Sequence, residues 1–151
     1  MKLLQMIQAA IMLPPQLKDD GDFANNFYCD TAKKSELLVL IIVGDLDIAV
    51  GSTAEDAAPF LEECETVGGA YTAVTGAALS AVIGATDDNK LFAIHMDLVD
   101  NTHKRYIRVN APHSGDGATG GNLCIVGILS KPVGNGPVNA AGQGLEELIK
   151  A

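Results

Sequence analysis

The chain has 151 residues, of which 48% are hydrophobic, with 16 glycines, 6 prolines and a formal net charge of −9. This length supports one domain with a real core rather than two, and the apolar fraction excludes a disordered chain. The Gly and Pro content favours β-structure over helix, and the acidic balance excludes a protein that holds nucleic acid through its phosphates.

Residues 2–13 are apolar without a clean period, and Pro14-Pro15 follows. Gln5 and Gln8 interrupt the run, and no small-x-small cleavage site precedes the prolines, so it does not read as a secretory signal. Leu4, Ile7 and Ile11 suit a helix stripe, but the bounding prolines and the shortness suit an extended arm or edge strand, and the arm is preferred, stiffened at its exit by the two prolines. Residues 18–26 are turn material, and residues 27–31 form a short strand candidate followed by a polar turn over 32–36.

Residues 37–43, LLVLIIV, are a continuous apolar run of strand length. Such a run suits a strand covered on both faces at the centre of a sandwich. Alternation resumes over residues 45–50, which suggests a bulge at Gly44. Residues 57–65 and 71–75, separated by Gly68-Gly69, read as a hairpin, and residues 77–83 as a weak strand.

The period of two is most regular over residues 90–110, KLFAIHMDLVDNTHKRYIRVN. Phe92, Ile94, Met96 and Leu98 share one side, and Ile107 and Val109 continue it beyond a polar break. This pattern reads as a hairpin with one buried face. After a turn-rich loop comes a last strong strand over 122–130, then a Gly- and Pro-rich tail ending in a possible helical turn at 145–150.

The fold class expected is therefore all-β: an antiparallel β-sandwich of jelly-roll type with about eight strands. The sandwich occupies residues 26–131, between an N-terminal arm over 1–25 and a C-terminal tail over 132–151. Three cysteines, Cys29, Cys64 and Cys124, are an odd number at unrelated spacings, which suits reduced, buried thiols assembled in a reducing cytoplasm. No run approaches the roughly 18 apolar residues of a membrane-spanning helix, so a soluble protein without a membrane partner is expected.

Candidate chemistry is sparse. His95 and Asp97 on one strand face, with His103 nearby, have the donor types of a divalent-metal site but no third ligand at a telling spacing. Asp19, Asp20 and Asp22 lack the loop length and closing glutamate of an EF-hand. Glu62, Glu63 and Glu65 surround Cys64 with anions that disfavour a thiolate. His113, Ser114 and Asp116 have the residue types of a hydrolase triad but are loop neighbours, a placement that rarely has triad geometry. No dinucleotide or phosphate-loop fingerprint occurs. No catalytic residue, metal or cofactor is expected. A sugar-binding jelly roll is the main non-enzymatic alternative, although the chain has no Trp, three Tyr and four Phe to stack on sugars.

Residues 85–110, ATDDNKLFAIHMDLVDNTHKRYIRVN, preceded by ELLVLIIVGDLDIAV and followed by GNLCIVGILSKP, resemble a family of small structural proteins of tailed bacteriophages. These decoration or cement proteins coat or clamp the outside of the capsid. The likeness runs from Glu36 to Pro132 and departs from the family pattern between Phe60 and Val82. It implies a virion protein without catalysis, assembled in the host cytoplasm. Its partners would be the major capsid protein and further copies of itself, a homotrimer ahead of a dimer. Hydrophobic chain ends suit that role: Leu3, Leu4, Met6, Ile7 and Leu13 at one end, and Leu145, Leu148 and Ile149 at the other, are the expected capsid or subunit contacts.

Overall fold

A computed structural model describes residues 6–23, 27–52, 55–99, 102–110 and 112–130. Among them the protein is all-β, with eleven strands: β1 (Ile7–Lys18), β2 (Gly21–Asp22), β3 (Cys29–Asp30), β4 (Glu36–Leu46), β5 (Val50–Gly51), β6 (Phe60–Cys64), β7 (Thr72–Ala78), β8 (Leu91–Asp97), β9 (Tyr106–Val109), β10 (His113–Ser114) and β11 (Gly121–Ser130). Two four-stranded antiparallel sheets, ordered β1-β11-β4-β8 and β3-β9-β6-β7, form the two layers of a β-sandwich. A three-stranded sheet, β2-β10-β5, sits beside them. The eight strands of the larger sheets pair by nesting: β1 with β11, β3 with β9, β4 with β8 and β6 with β7.

The core lies between the layers. In the first sheet the register aligns Phe92, Ile41, Ile125 and Leu13 in one inward row and Ile94, Val39, Gly127 and Ala10 in the next. The second sheet contributes Cys29, Leu61, Val74, Ala77, Ile107 and Val109. Gly127 allows the layers to approach: a Cβ there would stand 2.5 Å from Cys29 Sγ and 3.0 Å from Met12 Sδ.

Three expectations are corrected. The N-terminal arm is, over residues 7–18, an edge strand of the first sheet. Its prolines are tolerated because an edge strand needs only one row of ladder bonds, and they fall within a register shift between Leu13 and Gln16. An earlier shift between Ile11 and Leu13 accompanies the burial of two consecutive side chains, Met12 and Leu13. The sandwich therefore begins well before residue 26.

The two halves of the 90–110 stretch do not pair with each other. β8 pairs with β4 in the first sheet, whereas β9 pairs with β3 and β6 in the second. The two strands therefore stand in different layers. Alternation records only that each strand has one buried face; a hairpin and a crossing both satisfy it.

The run 37–43 is not covered on both sides. Leu37, Val39, Ile41 and Val43 are buried, whereas Leu38 and Leu40 are half-buried and Ile42 is 43% exposed. The hairpin expected over 57–65 and 71–75 is present as β6–β7. Of the weak strand expected over 77–83, only the start belongs to β7, and Ile83 makes an isolated bridge to Val50. The tail over 132–151 lies outside the described residues.

Candidate interaction surface

The outer face of the first sheet is built from the residues that alternate with its core positions. Cross-strand register places Ala93, Leu40, Val126 and Ile11 in one row, His95, Leu38, Ile128 and Ala9 in a second, and Leu91, Ile42 and Cys124 in a third. Ile11, Ile42 and Leu91 are 56%, 43% and 62% exposed. Two rows on four strands and a third on three give a patch on the order of 400 Å², from the ordinary strand spacing and rise, with the polar His95 at its edge. His95, Asp97 and Glu36 form a polar margin where β8 ends and β4 begins. Burial pushes the half-buried Cys124 thiol up.

The opposite face, on the second sheet, is polar and aromatic. The Glu62 carboxylate accepts hydrogen bonds from Arg108 Nε and, at 3.1 Å, from Asn110 Nδ2. The Arg108 guanidinium lies 3.9 Å from the Tyr71 ring centroid, a cation–π distance. Tyr71 Oη is buried and finds no hydrogen-bond partner among the described residues, and desolvation raises its phenol above the ordinary range. Arg105 grips Asp30 with two hydrogen bonds of 2.9 and 2.8 Å, which hold the Asp30 carboxyl below its usual range. Tyr28 and Tyr106 meet edge to face, with centroids 5.3 Å apart and planes at 86°.

Asp19, Asp47 and Asp88 cap the loops at the end where β4 finishes and β11 starts, accepting hydrogen bonds from the backbone N–H groups of Gly117, of Thr119 and Gly120, and of Leu46. The bonds from Thr119 hold Asp47 below the usual carboxylate range. At the other end a cleft of about 380 Å³ is lined by Lys33, Lys34, Glu65, His103 and Arg105. Of these, Arg105 is engaged with Asp30, and Lys34 donates to Gln8 at 2.7 Å.

The chemistry-bearing residues fall as follows. His95, Asp97 and His103 do line one groove, of about 280 Å³ beside β7. His103 Nδ1, however, lies 3.1 Å from Glu63, and among the described residues no three His, Cys, Asp or Glu side chains are grouped to hold a metal. His113 bonds Asp22 at 2.9 Å, while Ser114 Oγ donates to the Gly115 carbonyl, so these two triad-type residues engage other partners. Cys64 is buried, and its neighbours Glu62 and Glu63 serve Arg108, Asn110, His103 and the Lys104 amide.

Of the expected contact residues, Met6 is 42% exposed and Ile7 is half-buried beside Ser130. Leu13 is 1% exposed and belongs to the protein's own core, because the β1 bulge turns it inward. Leu3, Leu4, Leu145, Leu148 and Ile149 lie outside the described residues. The apolar outer face went unread in the sequence. A signal for it existed: about eight strands make two layers, and two layers cover each sheet on one face only. An apolar run in such a fold leaves half its side chains outside.

No protein-family model, curated protein or solved structure matches the chain.

Proposed function

We propose that the protein is a structural component of a tailed-phage virion, decorating and stabilising the outer surface of the capsid by binding major capsid protein subunits across their seams. The observation that carries this is the apolar outer face of the first sheet, on a chain whose formal charge is −9. Its strands β4, β8 and β11 come from the stretch that resembles decoration proteins. The nested strand pairing favours a jelly roll, the sandwich in which a long antiparallel hairpin is rolled up so that its two halves alternate within each sheet.

Patch size favours a multivalent target. On the order of 400 Å² is within the range of the largest patch on an ordinary monomer, and about half of what each partner of a stable pair contributes. One such contact is weak, whereas linked copies on a repetitive shell hold tightly. Self-association into a trimer, ahead of a dimer, would supply that linkage through closed symmetry. The acidic surface suits a position outside the shell, away from packaged DNA. A sugar-binding role draws less support, because Tyr28 and Tyr106 stand nearly perpendicular instead of forming a flat stacking platform.

The test is co-sedimentation of the purified protein with empty, expanded shells of the major capsid protein from the same phage. Saturable binding at fixed stoichiometry, weakened at least tenfold by Leu40→Thr with Ile42→Thr, is the expected result. Absence of binding at tens of micromolar would remove the capsid role.

A further inference from the structure

Backbone N–H and C=O groups on the rim of a sheet bond either water or another strand, and the rims of this sandwich differ in what keeps a second strand away. β1 carries Pro14 and Pro15 and two register shifts, and β3 has only two residues. β7 is interrupted by Gly76 at φ +81° and by a shift in its pairing with β6. β8, the remaining rim of the two layers, has none of these devices. Its seven residues, LFAIHMD, pair with β4 in unbroken register.

The ladder shows which backbone groups β8 leaves over. Val43 N donates to Lys90 O at 3.0 Å, and Leu98 N donates to Ser35 O at 2.8 Å, at the two ends of the register. Antiparallel bonding alternates, so Phe92, Ile94 and Met96 direct their N–H and C=O groups at β4. Those of Leu91, Ala93, His95 and Asp97 point away from it, and among the described residues no strand pairs with them. All four residues are exposed. The groove that His95 and Asp97 share with Val74, Thr75 and Ala77 of β7 lies beside this rim.

We propose that β8 pairs antiparallel with β8 of a second copy, about a two-fold axis at Ile94, and so joins the two first sheets into one. Ile94 then faces its own counterpart, Ala93 faces His95 of the second copy, and Leu91 faces Asp97 of the second copy. In this register every backbone group left over on the rim gains a partner, whereas sliding by two residues leaves an end of each row unpaired. The small Ala93 side chain leaves room for the imidazole opposite. Asp97 is the one charged side chain of the strand. The two copies of it stand at opposite ends of the seam, about 20 Å apart at the strand rise and beyond the screening length of about 8 Å in physiological salt.

The pairing goes beyond the capsid reading and holds without it. A two-fold contact of this kind closes at two copies, so it selects the dimer over the trimer. It also sets the two apolar outer faces side by side on one surface of the joined sheet. Two patches on the order of 400 Å² together reach about 800 Å², the area each partner of a stable complex contributes.

Sedimentation velocity on the full chain without capsid, up to hundreds of micromolar, is expected to show a reversible monomer–dimer equilibrium. Ala93→Lys puts a charge on the rim without removing a bond to β4, and should raise the dissociation constant at least tenfold at an unchanged urea midpoint. Register is read by oxidative cross-linking in a Cys124→Ser background, since opposed residues stand about 5.5 Å apart at Cα, within disulfide range. Chains carrying Ala93→Cys mixed with chains carrying His95→Cys should give several-fold more cross-linked dimer than either alone. A monomer throughout, a trimer, a dimer that survives Ala93→Lys, or equal cross-linking in all three samples would overturn the proposal. A dimer lost instead in Leu40→Thr with Ile42→Thr would seat the second copy on the apolar face and overturn it too. Co-sedimentation with capsid shells is a separate measurement, so the dimer and the capsid reading fail independently.

Discussion

The two large sheets share a core and differ on the outside. Both present alternating apolar residues to the interior, where Ile125 and Leu37 of the first sheet and Leu61 and Ile107 of the second are essentially inaccessible. Outside, the second sheet satisfies itself: Glu62, Arg108 and Asn110 bond one another, Tyr71 covers Arg108, and Arg105 holds Asp30. Among the described residues, the outer face of the first sheet sets the apolar Leu38, Leu40, Ile42, Val126, Ile128 and Ile11 side by side instead. A sheet whose outer side chains are mutually bonded has little to gain from a partner. An apolar one gains free energy in proportion to the area a partner covers.

The comparison breaks first in the shared core. Ile125→Ala is expected to cost about 2–5 kcal/mol, seen as a lower urea midpoint without a change in capsid-binding stoichiometry. An effect below 1 kcal/mol would mean that the layers are not packed on each other at this row. Next comes the self-satisfied outer face. Glu62→Ala strands the Arg108 guanidinium and the Asn110 amide, and is expected to cost about 1–3 kcal/mol. Combining it with Arg108→Ala should recover part of that loss in a double-mutant cycle; strict additivity would show that the pair is not coupled.

The unsatisfied face should behave in the opposite way. Leu40→Thr with Ile42→Thr keeps good strand formers at both positions and should change stability by about 1 kcal/mol or less while weakening association at least tenfold. A large stability loss with intact association would exchange the roles assigned to the two faces. The smallest effect is expected at Tyr71→Phe, which removes a buried hydroxyl that has no hydrogen-bond partner among the described residues. Its melting temperature should stay the same or rise slightly, because no bond is lost.

Acid should act mainly through the carboxylates that cap loops and pair with cations. Asp30, Asp47 and Asp87 all lie below the usual carboxylate range: Asp30 through Arg105, Asp47 through the hydrogen bonds from Thr119, and Asp87 through Lys90. Their folded values are depressed, so their stabilisation is fully present above about pH 4, the ordinary carboxylate value, and is lost as pH falls through the folded values. Melting temperatures measured between pH 5 and 2 should fall with acid, and Asp47→Asn should flatten part of that slope. An unchanged slope would mean that the Asp47 cap is equally formed in the unfolded chain.

Local features of the chain carried the strands themselves. The apolar runs 37–43 and 122–130, of strand length, identify β4 and β11, and the alternation of 90–99 and 106–109 identifies β8 and β9, because a half-buried strand must alternate with a period of two. Gly68-Gly69 likewise marked the β6–β7 turn. Pairing was not legible to the same degree. Residues 2–13, bounded by Pro14-Pro15, were open to an arm or an edge strand, and the bulged register against β11 decides for an edge strand over residues 7–18 with Met12 and Leu13 in the core.

The 90–110 stretch looked like a hairpin because alternation is the same for two strands of one sheet and for two strands facing each other across a core. Which it is depends on long-range pairing of β8 with β4 and of β9 with β6, set by how the whole chain closes its core. The same closure decided the outer faces. Composition and period fixed which residues are apolar and which strands they form, whereas the two-layer packing alone decided that Leu38, Leu40 and Ile42 look outward.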